Sequence, residues 1–401
     1  MKKINQLNTA FEIAKRISFQ KQKSNTSFIV RLSILATTIS VAAIILTFSI
    51  VNGFQESIAN KVYSFWGQIN IGTLNGALID QHPKIQTTLQ KQKGIHNIIP
   101  YALQTAVIAY KQEMEGLTIK GIPKKQRAPF LSVGRPIQQN NNGIAMEIVL
   151  SEAIANKLQL KVGDSIRLYF TRQSDVQQRK LKVAGLFHSG MEDYDLSYAI
   201  VDLGLLQQLV NDSSLISGYS IQADKGINSS LLSKQIQHAL PPNYIATPVE
   251  EQYPQIFDWL EVQTINRNVT MSIMLIIAIV NLLTCLFILM LERVNMIGVL
   301  NALGGDYHLI RKIFLYQASF ICWTGIIIGS MIGIGLSLLQ QYTGWIQLDE
   351  SAYFMKVLPI KIELKQILWI IVGTAVISYV SFLAPTIWIK KISPTKAIRF
   401  D

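Results

Sequence analysis

Four long apolar segments set the plan of the chain. Each is close to the roughly 20 residues that an α-helix needs to cross the hydrocarbon core of a bilayer. The four segments are residues 28–51, 271–291, 318–339 and 367–389. Residues 52–270, between the first two, are mostly polar and numerous enough to fold around a core of their own. The pattern predicts four transmembrane helices and one large domain outside the membrane.

The pattern inside this large segment changes to short elements. Strands are predicted at residues 68–74 and on both sides of a hairpin turn at residues 111–115. A strand that begins at Glu147 leads into a helix capped by Ser151, and an exposed, charged tip at residues 172–178 joins two further strands. The expected fold class is therefore an α-helical membrane domain of four spans plus an α+β extracytoplasmic domain inserted between the first and second spans.

Basic residues at both ends of the chain give the expected orientation. Residues 1–27 have the pattern of an amphipathic helix rich in Lys and Arg, with a frayed basic tail as the alternative, and residues 390–401 are also basic. Such residues concentrate on the cytoplasmic side of a membrane. Both termini are therefore expected in the cytoplasm. Residues 292–317 then lie inside, and residues 52–270 and 340–366 lie outside.

The formal net charge of +12 at pH 7 does not by itself indicate nucleic acid. The positive charge lies largely beside the spans, so anionic lipid headgroups are the partner that it predicts, and no nucleic-acid partner is expected. The two cysteines, Cys285 and Cys322, fall inside predicted spans. They cannot form a disulfide in the large domain, which must fold without one.

Motifs for chemistry are missing from the sequence. It holds no GxxxxGK[ST] loop for nucleotide phosphates, no HExxH pair and no G-x-S-x-G elbow. The acidic run Glu192, Asp193 and Asp195 is weighed as a Ca²⁺ site, but a solvated loop is the favoured interpretation. The spans lack the acids and lysines that mark an ion pathway. We therefore expect a non-catalytic chain without its own metal or cofactor, which receives energy from a partner.

The connection between the second and third spans is predicted to be a short helix at the cytoplasmic face. Ile297, Leu300 and Leu303 recur at helical spacing, and Gly304 with the following glycine can end the helix. A half-apolar helix in that place is suited to contact a soluble partner. The alternative is that these three side chains pack against the protein's own helix ends.

The third span carries a row of glycines at four-residue spacing, Gly325, Gly329 and Gly333. Small residues on one face allow another helix to approach closely, so this row is predicted to be a packing surface. The sequence leaves open whether its neighbour is the fourth span or a second subunit.

Several motifs resemble one family. Residues 293–304 have the form R-x-x-x-I-G-x-L-x-A-L-G, which resembles the signature of FtsX-like permease domains, and residues 393–399 resemble the closing motif of that family. The sequences SIVNGFQ at 49–55, LQLKVGDSIRL at 158–168 and GMEDYD at 190–195 are similar to the lipoprotein-releasing LolC/LolE group of ABC transporter permeases. The resemblance extends over nearly the whole chain and includes a MacB-type periplasmic core domain.

The resemblance implies a mechanism of mechanotransmission. Two permease subunits, either identical or paralogous, pair in the bacterial inner membrane, with residues 52–270 and 340–366 in the periplasm. They bind a separate LolD-like ABC-type ATPase that holds ATP and Mg. ATP hydrolysis then moves the periplasmic domain, which releases lipoprotein cargo to a periplasmic carrier. The tip at residues 172–178 is short and lacks the proline expected of a carrier-binding hook. The residues that the resemblance assigns to ATPase coupling are Glu292, Arg293, Ile297, Gly298, Leu300, Ala302, Leu303 and Gly304.

A groove for acyl chains is expected at the outer ends of the first and second spans. The residues assigned to it are Ile50, Phe54, Val262 and Ile265, with ordinary packing between helices as the alternative. Two other functions remain open for the whole chain. One is an FtsX-like or MacB-like permease that handles another cargo or activates a cell-wall hydrolase, and the other is a membrane-anchored receptor or enzyme without a transport role.

Overall fold

The computed structural model describes a large part of the chain. The described residues are 25–81, 83–111, 113–123, 126, 128–138, 143–172, 175–210, 212–302 and 307–386. The predicted N-terminal amphipathic segment lies almost entirely outside them, and the basic tail lies entirely outside. Contacts divide the chain into a helical unit and a sheet unit. The helical unit is residues 1–55, 260–346 and 358–401, and the sheet unit is residues 56–259 and 347–357.

Helices and strands are numbered in chain order. The helices are α1 (Asn25–Trp66), α2 (Pro83–Gln90), α3 (Glu152–Lys157), α4 (Glu192–Ser197), α5 (Leu203–Val210), α6 (Ser229–Ala239), α7 (Val249–Gln252), α8 (Pro254–Glu292), α9 (Val294–Ala302), α10 (Tyr307–Thr343), α11 (Glu350–Tyr353) and α12 (Leu364–Thr386). The strands are β1 (Ile69–Thr73), β2 (Ile79–Asp80), β3 (Ile95–Tyr110), β4 (Glu113–Ile122), β5 (Leu131–Gly134), β6 (Glu147–Ser151), β7 (Ser165–Arg172), β8 (Asp175–Phe187), β9 (Tyr198–Asp202), β10 (Leu215–Ile216), β11 (Gly218–Ala223) and β12 (Tyr244–Pro248).

The helical unit is built from long apolar helices. Within the described residues, α1, α8, α10 and α12 are each long and apolar enough to cross a membrane. Their facing sides form one buried cluster that includes Ile45, Leu286, Phe314 and Phe382. The opposite sides carry exposed apolar residues such as Ile276, as expected of helices surrounded by lipid rather than water.

The glycine row of α10 packs against α1. A Cβ atom added at Gly325 would lie 2.7 Å from Cβ of Thr37, and one added at Gly329 would lie 2.6 Å from the carbonyl oxygen of Thr38. At Gly333 the nearest atom is Cβ of Ile45, at 3.1 Å. The closest neighbour of the row is therefore the first span, which is neither of the two partners that the sequence left open.

A closed ring of strands forms the centre of the sheet unit. The order of pairing is β3, β4, β9, β6, β8 and β7, and β7 pairs again with β3. Alternate residues of each strand, among them Ile108, Ile119, Leu150 and Leu168, point to one buried core. Closure pairs both sides of these strands and leaves few free edges for aggregation.

An open antiparallel sheet adjoins the ring through the long strand β3. Its order is β12, β1, β11 and the first part of β3. Helices α2 and α6 cover it, with Leu89 and Ile236 buried in the same core as the ring. Ser151 caps α3 as predicted, since its Oγ accepts a hydrogen bond of 3.1 Å from the Ile154 amide.

Some elements differ from the sequence-based prediction. The tip at residues 172–178 is mostly strand, because β7 and β8 stay paired until Arg172 meets Asp175. The strand predicted before the hairpin turn at residues 111–115 is longer than expected, since β3 starts at Ile95. The acidic run predicted as a solvated loop forms α4, in which Asp195 is buried.

Candidate functional site

The connector helix α9 follows directly after α8. Ile297, assigned above to ATPase coupling, is fully buried in the cluster of the helical unit, and Gly298 is buried as well. Val299, the next residue of α9, is 55% exposed. For Ile297 the structure therefore matches the alternative of packing against the protein's own helices. Glu292 is exposed and Arg293 is half-buried.

The remaining predicted coupling residues lie in the last turn of α9 or outside the described residues. The structure places the backbone of Leu300 and Ala302 in α9. Leu303 and Gly304 lie outside the described residues. The coupling role of this helix stays a prediction, and Val299, which was not among the predicted coupling residues, is its exposed position.

The NGFQ motif, residues 52–55 of α1, joins α1 to α8 and α12 in the helical unit. Asn52 donates a hydrogen bond of 2.6 Å from Nδ2 to Oε1 of Gln366, and its Oδ1 accepts one of 2.5 Å from Arg267. Gln55 donates from Nε2 to the carbonyl oxygen of Leu260 at 2.7 Å. Because two amide side chains can each bridge two neighbours, the motif fixes α1 to α8 and to the start of α12.

Gly53 in the same motif allows a close approach of backbone. A Cβ atom there would lie 2.5 Å from the carbonyl oxygen of Pro359 and 2.8 Å from the amide nitrogen of Lys361. The Lys361 amide donates to the carbonyl oxygen of Ser49 at 3.0 Å. Glycine is required here because any side chain would push the segment before α12 away from α1.

An apolar cleft of about 450 Å³ opens beside this junction. A volume in this range is typical of ligand sites. Its lining comes from α1, α8 and α12, and the lining residues are Ile44, Phe48, Asn268, Met271, Ser272, Leu275, Gln366, Trp369, Ile370, Gly373, Thr374 and Ile377. Asn268 and Gln366 place amide groups, and Ser272 and Thr374 place hydroxyl groups, in a mostly apolar wall.

The cleft is not lined by the residues predicted for a cargo groove. Phe54 is buried, Ile50 is half-buried, and Val262 and Ile265 are 49% and 55% exposed on α8. Sequence reasoning chose apolar residues near the span ends and missed the cleft. The signal that marks it is the presence of polar residues, Ser272 and Thr374 among them, inside apolar segments.

The GMEDYD motif organises a loop of the sheet unit. The carboxylate of Asp195 accepts hydrogen bonds from the amide and hydroxyl of Ser189, at 3.1 and 2.7 Å, and from the amide of Gly190 at 3.3 Å. Its oxygen atoms are therefore occupied by protein donors rather than available to a cation. Within the described residues, no group of three or more His, Cys, Asp and Glu side chains is placed to hold a metal ion.

This loop holds the connection between α10 and α12 through an ionic contact that we name the clasp, formed by His188, Glu350 and Lys61. Oε1 of Glu350 lies 2.6 Å from Nε2 of His188. Lys61 donates to the carbonyl oxygen of Ser189 at 2.6 Å and to that of Phe354. The clasp therefore ties residues 347–357 to α1 within the sheet unit.

We expect Glu350→Gln to loosen the clasp. Burial of Glu350 acts to raise its pKa. The hydrogen bonds and charges of His188 and Lys356 outweigh this effect, so the pKa of Glu350 lies below its ordinary value. A carboxyl group whose pKa is lower in the folded than in the unfolded state stabilises the folded state at neutral pH. This contribution is lost as the pH falls below about 4. Because Glu350 and His188 are both partly exposed, we expect Glu350→Gln to lower the local stability by about 1 kcal/mol. Amide exchange over residues 347–357 should then be roughly fivefold faster at pH 7.

Hydrogen exchange with mass spectrometry on the full chain in detergent measures this effect. Glu192→Gln, which removes an exposed carboxylate of α4, serves as the control and should leave the exchange of residues 347–357 unchanged. Equal exchange in wild type and Glu350→Gln would contradict a fastening role for the clasp.

A buried lysine lies against the end of α1. Lys120 of β4 is 5% exposed, and its Nζ lies 4.3 Å from the ring centroid of Trp66 and 4.5 Å from that of Phe65. It donates to the carbonyl oxygen of Phe65, where α1 has no further turn to satisfy it. Burial lowers the pKa of Lys120 to about 7. The side chain therefore caps the carbonyl end of the helix in a desolvated aromatic cage, and it does so as an ammonium below about pH 7.

Comparison with known proteins agrees with this architecture. The family model of the MacB-like periplasmic core domain matches residues 31–239, and that of the FtsX-like permease C-terminal region matches residues 268–394. The lipoprotein-releasing system transmembrane protein LolE of Haemophilus influenzae is 23% identical over an alignment of 420 positions, gaps included, which covers 98% of this chain and 99% of the relative. LolC of Neisseria meningitidis serogroup B is 22% identical, with 95% and 96% covered.

Among solved structures, the periplasmic region of MacB from Actinobacillus actinomycetemcomitans covers 50% of this chain and 97% of its own, with 12% identity and a TM-score of 0.35. The two family models follow one another along the chain and together account for most of its length. The chain therefore belongs to the LolC/LolE family of ABC transporter permeases, with the MacB-like core domain and FtsX-like region of that family.

Proposed function

We propose that this permease couples ATP hydrolysis by a separate cytoplasmic ATPase to the release of acylated lipoproteins from the bacterial inner membrane. The observation that carries the proposal is the continuity of two helices. Helix α1 runs unbroken from Asn25 to Trp66 and α8 from Pro254 to Glu292, and each contributes residues to both the helical unit and the sheet unit. A continuous helix transmits a displacement along its axis, since its hydrogen bonds are all internal.

The proposed arrangement follows from the charge pattern. Both termini and α9 lie in the cytoplasm, and the sheet unit lies in the periplasm as a domain inserted between the first and second spans. The ATPase partner binds ATP and Mg, and a second permease subunit completes the transporter. A periplasmic carrier receives the lipoprotein. The names of the relatives support the cargo, since those proteins are described as parts of a lipoprotein-releasing system.

Helix α9 is proposed as the contact with the ATPase. Among the predicted coupling residues, Gly298→Arg and Leu303→Asp are candidate uncoupling variants. Gly298 is buried, so an arginine there also disturbs the packing of the helical unit itself. Val299 is exposed on the same helix, and Val299→Asp therefore tests docking while leaving the fold intact.

We expect Val299→Asp to lower lipoprotein release per ATP hydrolysed at least tenfold. A charge placed in an apolar contact costs about 1.4 kcal/mol or more, which corresponds to this factor. Release and ATP turnover are measured together in proteoliposomes that hold the purified transporter. Met114→Asp, at a 70% exposed position of the sheet unit, is the matched control and should retain normal coupling. Normal release by Val299→Asp would argue against docking through α9.

Depletion of the protein in cells tests the cargo assignment. We expect acylated lipoproteins destined for the outer membrane to accumulate in the inner membrane, where fractionation followed by immunoblotting detects them. Correct sorting after depletion would reject lipoprotein release, whether or not an ATPase copurifies with the chain.

A further inference from the structure

The cleft between α1, α8 and α12 ends in a polar rim that contains a cation. Nη1 of Arg267 donates to Oδ1 of Asn52 at 2.5 Å, and its Nε and Nη2 lie 3.3 Å from Oδ1 of Asn268. The guanidinium carbon lies 4.7 Å from the centroid of the Phe48 ring, which also lines the cleft. Arg267 is thus held in place by an aromatic face and two amides at the end of an apolar cavity.

This cation has no carboxylate partner within the part of the chain that the structure describes. Its contacts there are the two asparagine amides and the Phe48 ring, all of them uncharged. Half-burying a charge without a counter-ion is costly unless an anion from outside completes the site. A guanidinium is the side chain that best binds phosphate oxygens, because it presents parallel N–H donors at fixed spacing.

The depth of the rim indicates where that anion resides. Arg267 lies about one helical turn before the predicted second span, Asn52 directly follows the first, and Gln366 directly precedes the fourth. These three residues therefore lie at the level of lipid headgroups, and the apolar part of the cleft extends into the hydrocarbon region. A phosphate at Arg267 thus belongs to a molecule with an apolar tail.

We propose that the cleft holds an acyl chain of an anionic membrane phospholipid whose phosphate binds Arg267. Acyl groups attached to a protein bring no phosphate to the rim, so the site differs in chemistry from a site for lipoprotein cargo. Placement in the periplasmic leaflet rests on the orientation proposed above, but the site itself does not. Lipid bound here fills the space between α1, α8 and α12 and stabilises their junction.

Native mass spectrometry of the full chain in detergent tests the proposal with two added lipids, phosphatidylglycerol and phosphatidylcholine. Both lipids carry a phosphate, but the choline cation of phosphatidylcholine offsets its charge. The wild type should therefore bind phosphatidylglycerol about tenfold more tightly, which corresponds to about 1.4 kcal/mol. Arg267→Gln should abolish this preference. Lys365→Gln removes an exposed cation at the same depth beside Gln366 and should leave the preference intact.

A second variant tests the apolar part of the site. A Cβ atom at Gly373, which lines the cleft, meets nothing within 4 Å, so Gly373→Leu starts its side chain in open space and occupies part of the cavity. It should weaken binding of both lipids. Equal loss in Arg267→Gln and Lys365→Gln would overturn the proposal in favour of general attraction to the surface, and equal affinity for the two lipids would overturn the requirement for a net anionic headgroup.

The two proposals fail independently. This binding assay needs neither the ATPase nor lipoprotein, so failure here leaves lipoprotein release untouched. Conversely, normal lipoprotein sorting after depletion leaves the lipid site standing. Displacement of bound phosphatidylglycerol by a diacylated lipopeptide without phosphate, equally in wild type and Arg267→Gln, would reassign the cleft to cargo and overturn the proposal.

Discussion

Gly329→Val is expected to prevent stable assembly of the helical unit. The new Cβ would lie 2.6 Å from the carbonyl oxygen of Thr38 and 2.9 Å from Cβ of Val41. Neither backbone nor a β-branched side chain can move aside without separating α10 from α1. Overpacking of this kind costs about 3 kcal/mol, near the upper end of measured values. We expect most of the protein to aggregate on extraction in detergent and the remainder to unfold at lower temperature.

The matched control for this experiment lies on the same helix. A Cβ atom at Gly335 meets nothing within 4 Å, so Gly335→Val adds the same methyl groups toward open space. Size-exclusion chromatography and thermal unfolding of both variants compare the effects directly. Similar profiles for the two variants would show that the glycine row does not hold α10 against α1.

Lys120→Met is expected to change the pH dependence of stability. Lys120 has a folded pKa of about 7 because of burial, whereas an unfolded lysine titrates near 10.4. Between these two values the unfolded state binds more protons than the folded state, so the free energy of unfolding of the wild type rises with pH. The full change is on the order of 4 kcal/mol, at about 1.4 kcal/mol per pH unit. Well below pH 7 the lysine is protonated in both states, so its contribution to the free energy of unfolding no longer changes with pH.

The readout is the difference in unfolding temperature between wild type and Lys120→Met. From pH 7 to pH 10 the unfolding temperature of the wild type should rise relative to that of Lys120→Met. The effects of all other titrating groups cancel in this difference, because both proteins contain them. Lys180→Met, which removes an exposed lysine of β8, should leave the profile of the wild type unchanged. A difference that stays constant with pH would show that the buried lysine does not titrate in this range.

Apolar periodicity was sufficient to find the long helices but not their neighbours. The small residues at Gly325 and Gly329 predict that something packs closely, since only small side chains allow it. They do not identify the other helix, because many helices present a complementary surface. The contact with α1 follows from tertiary arrangement alone. The same limit applies to Ile297, whose spacing is equally consistent with binding a partner and with packing in its own unit.

Strand prediction failed where one strand serves two sheets. Strand β3 pairs with β11 over its first part and with β4 and β7 over its second part, and Pro100 lies within it. Proline normally argues against a strand interior because it lacks an amide donor. The continuity of β3 depends on partners distant in sequence. Strand β5 was likewise missed inside a stretch rich in turn residues.

The functional motifs were recognised before their physical roles were known. NGFQ is explained by two amides and a glycine that join α1 to α8 and the segment before α12. GMEDYD is explained by Asp195, which orders the loop that holds the clasp. The cleft was not predicted, since its lining residues come from three helices and share no local pattern.

The central claim is that this chain converts ATP hydrolysis by a partner into release of lipoprotein. The most direct measurement is release of a fluorescent acylated lipoprotein from proteoliposomes that contain this chain, its copurified ATPase and a soluble carrier. We predict release that requires ATP and that stops when this chain is omitted. Release at the same rate without ATP or without this chain would contradict the account.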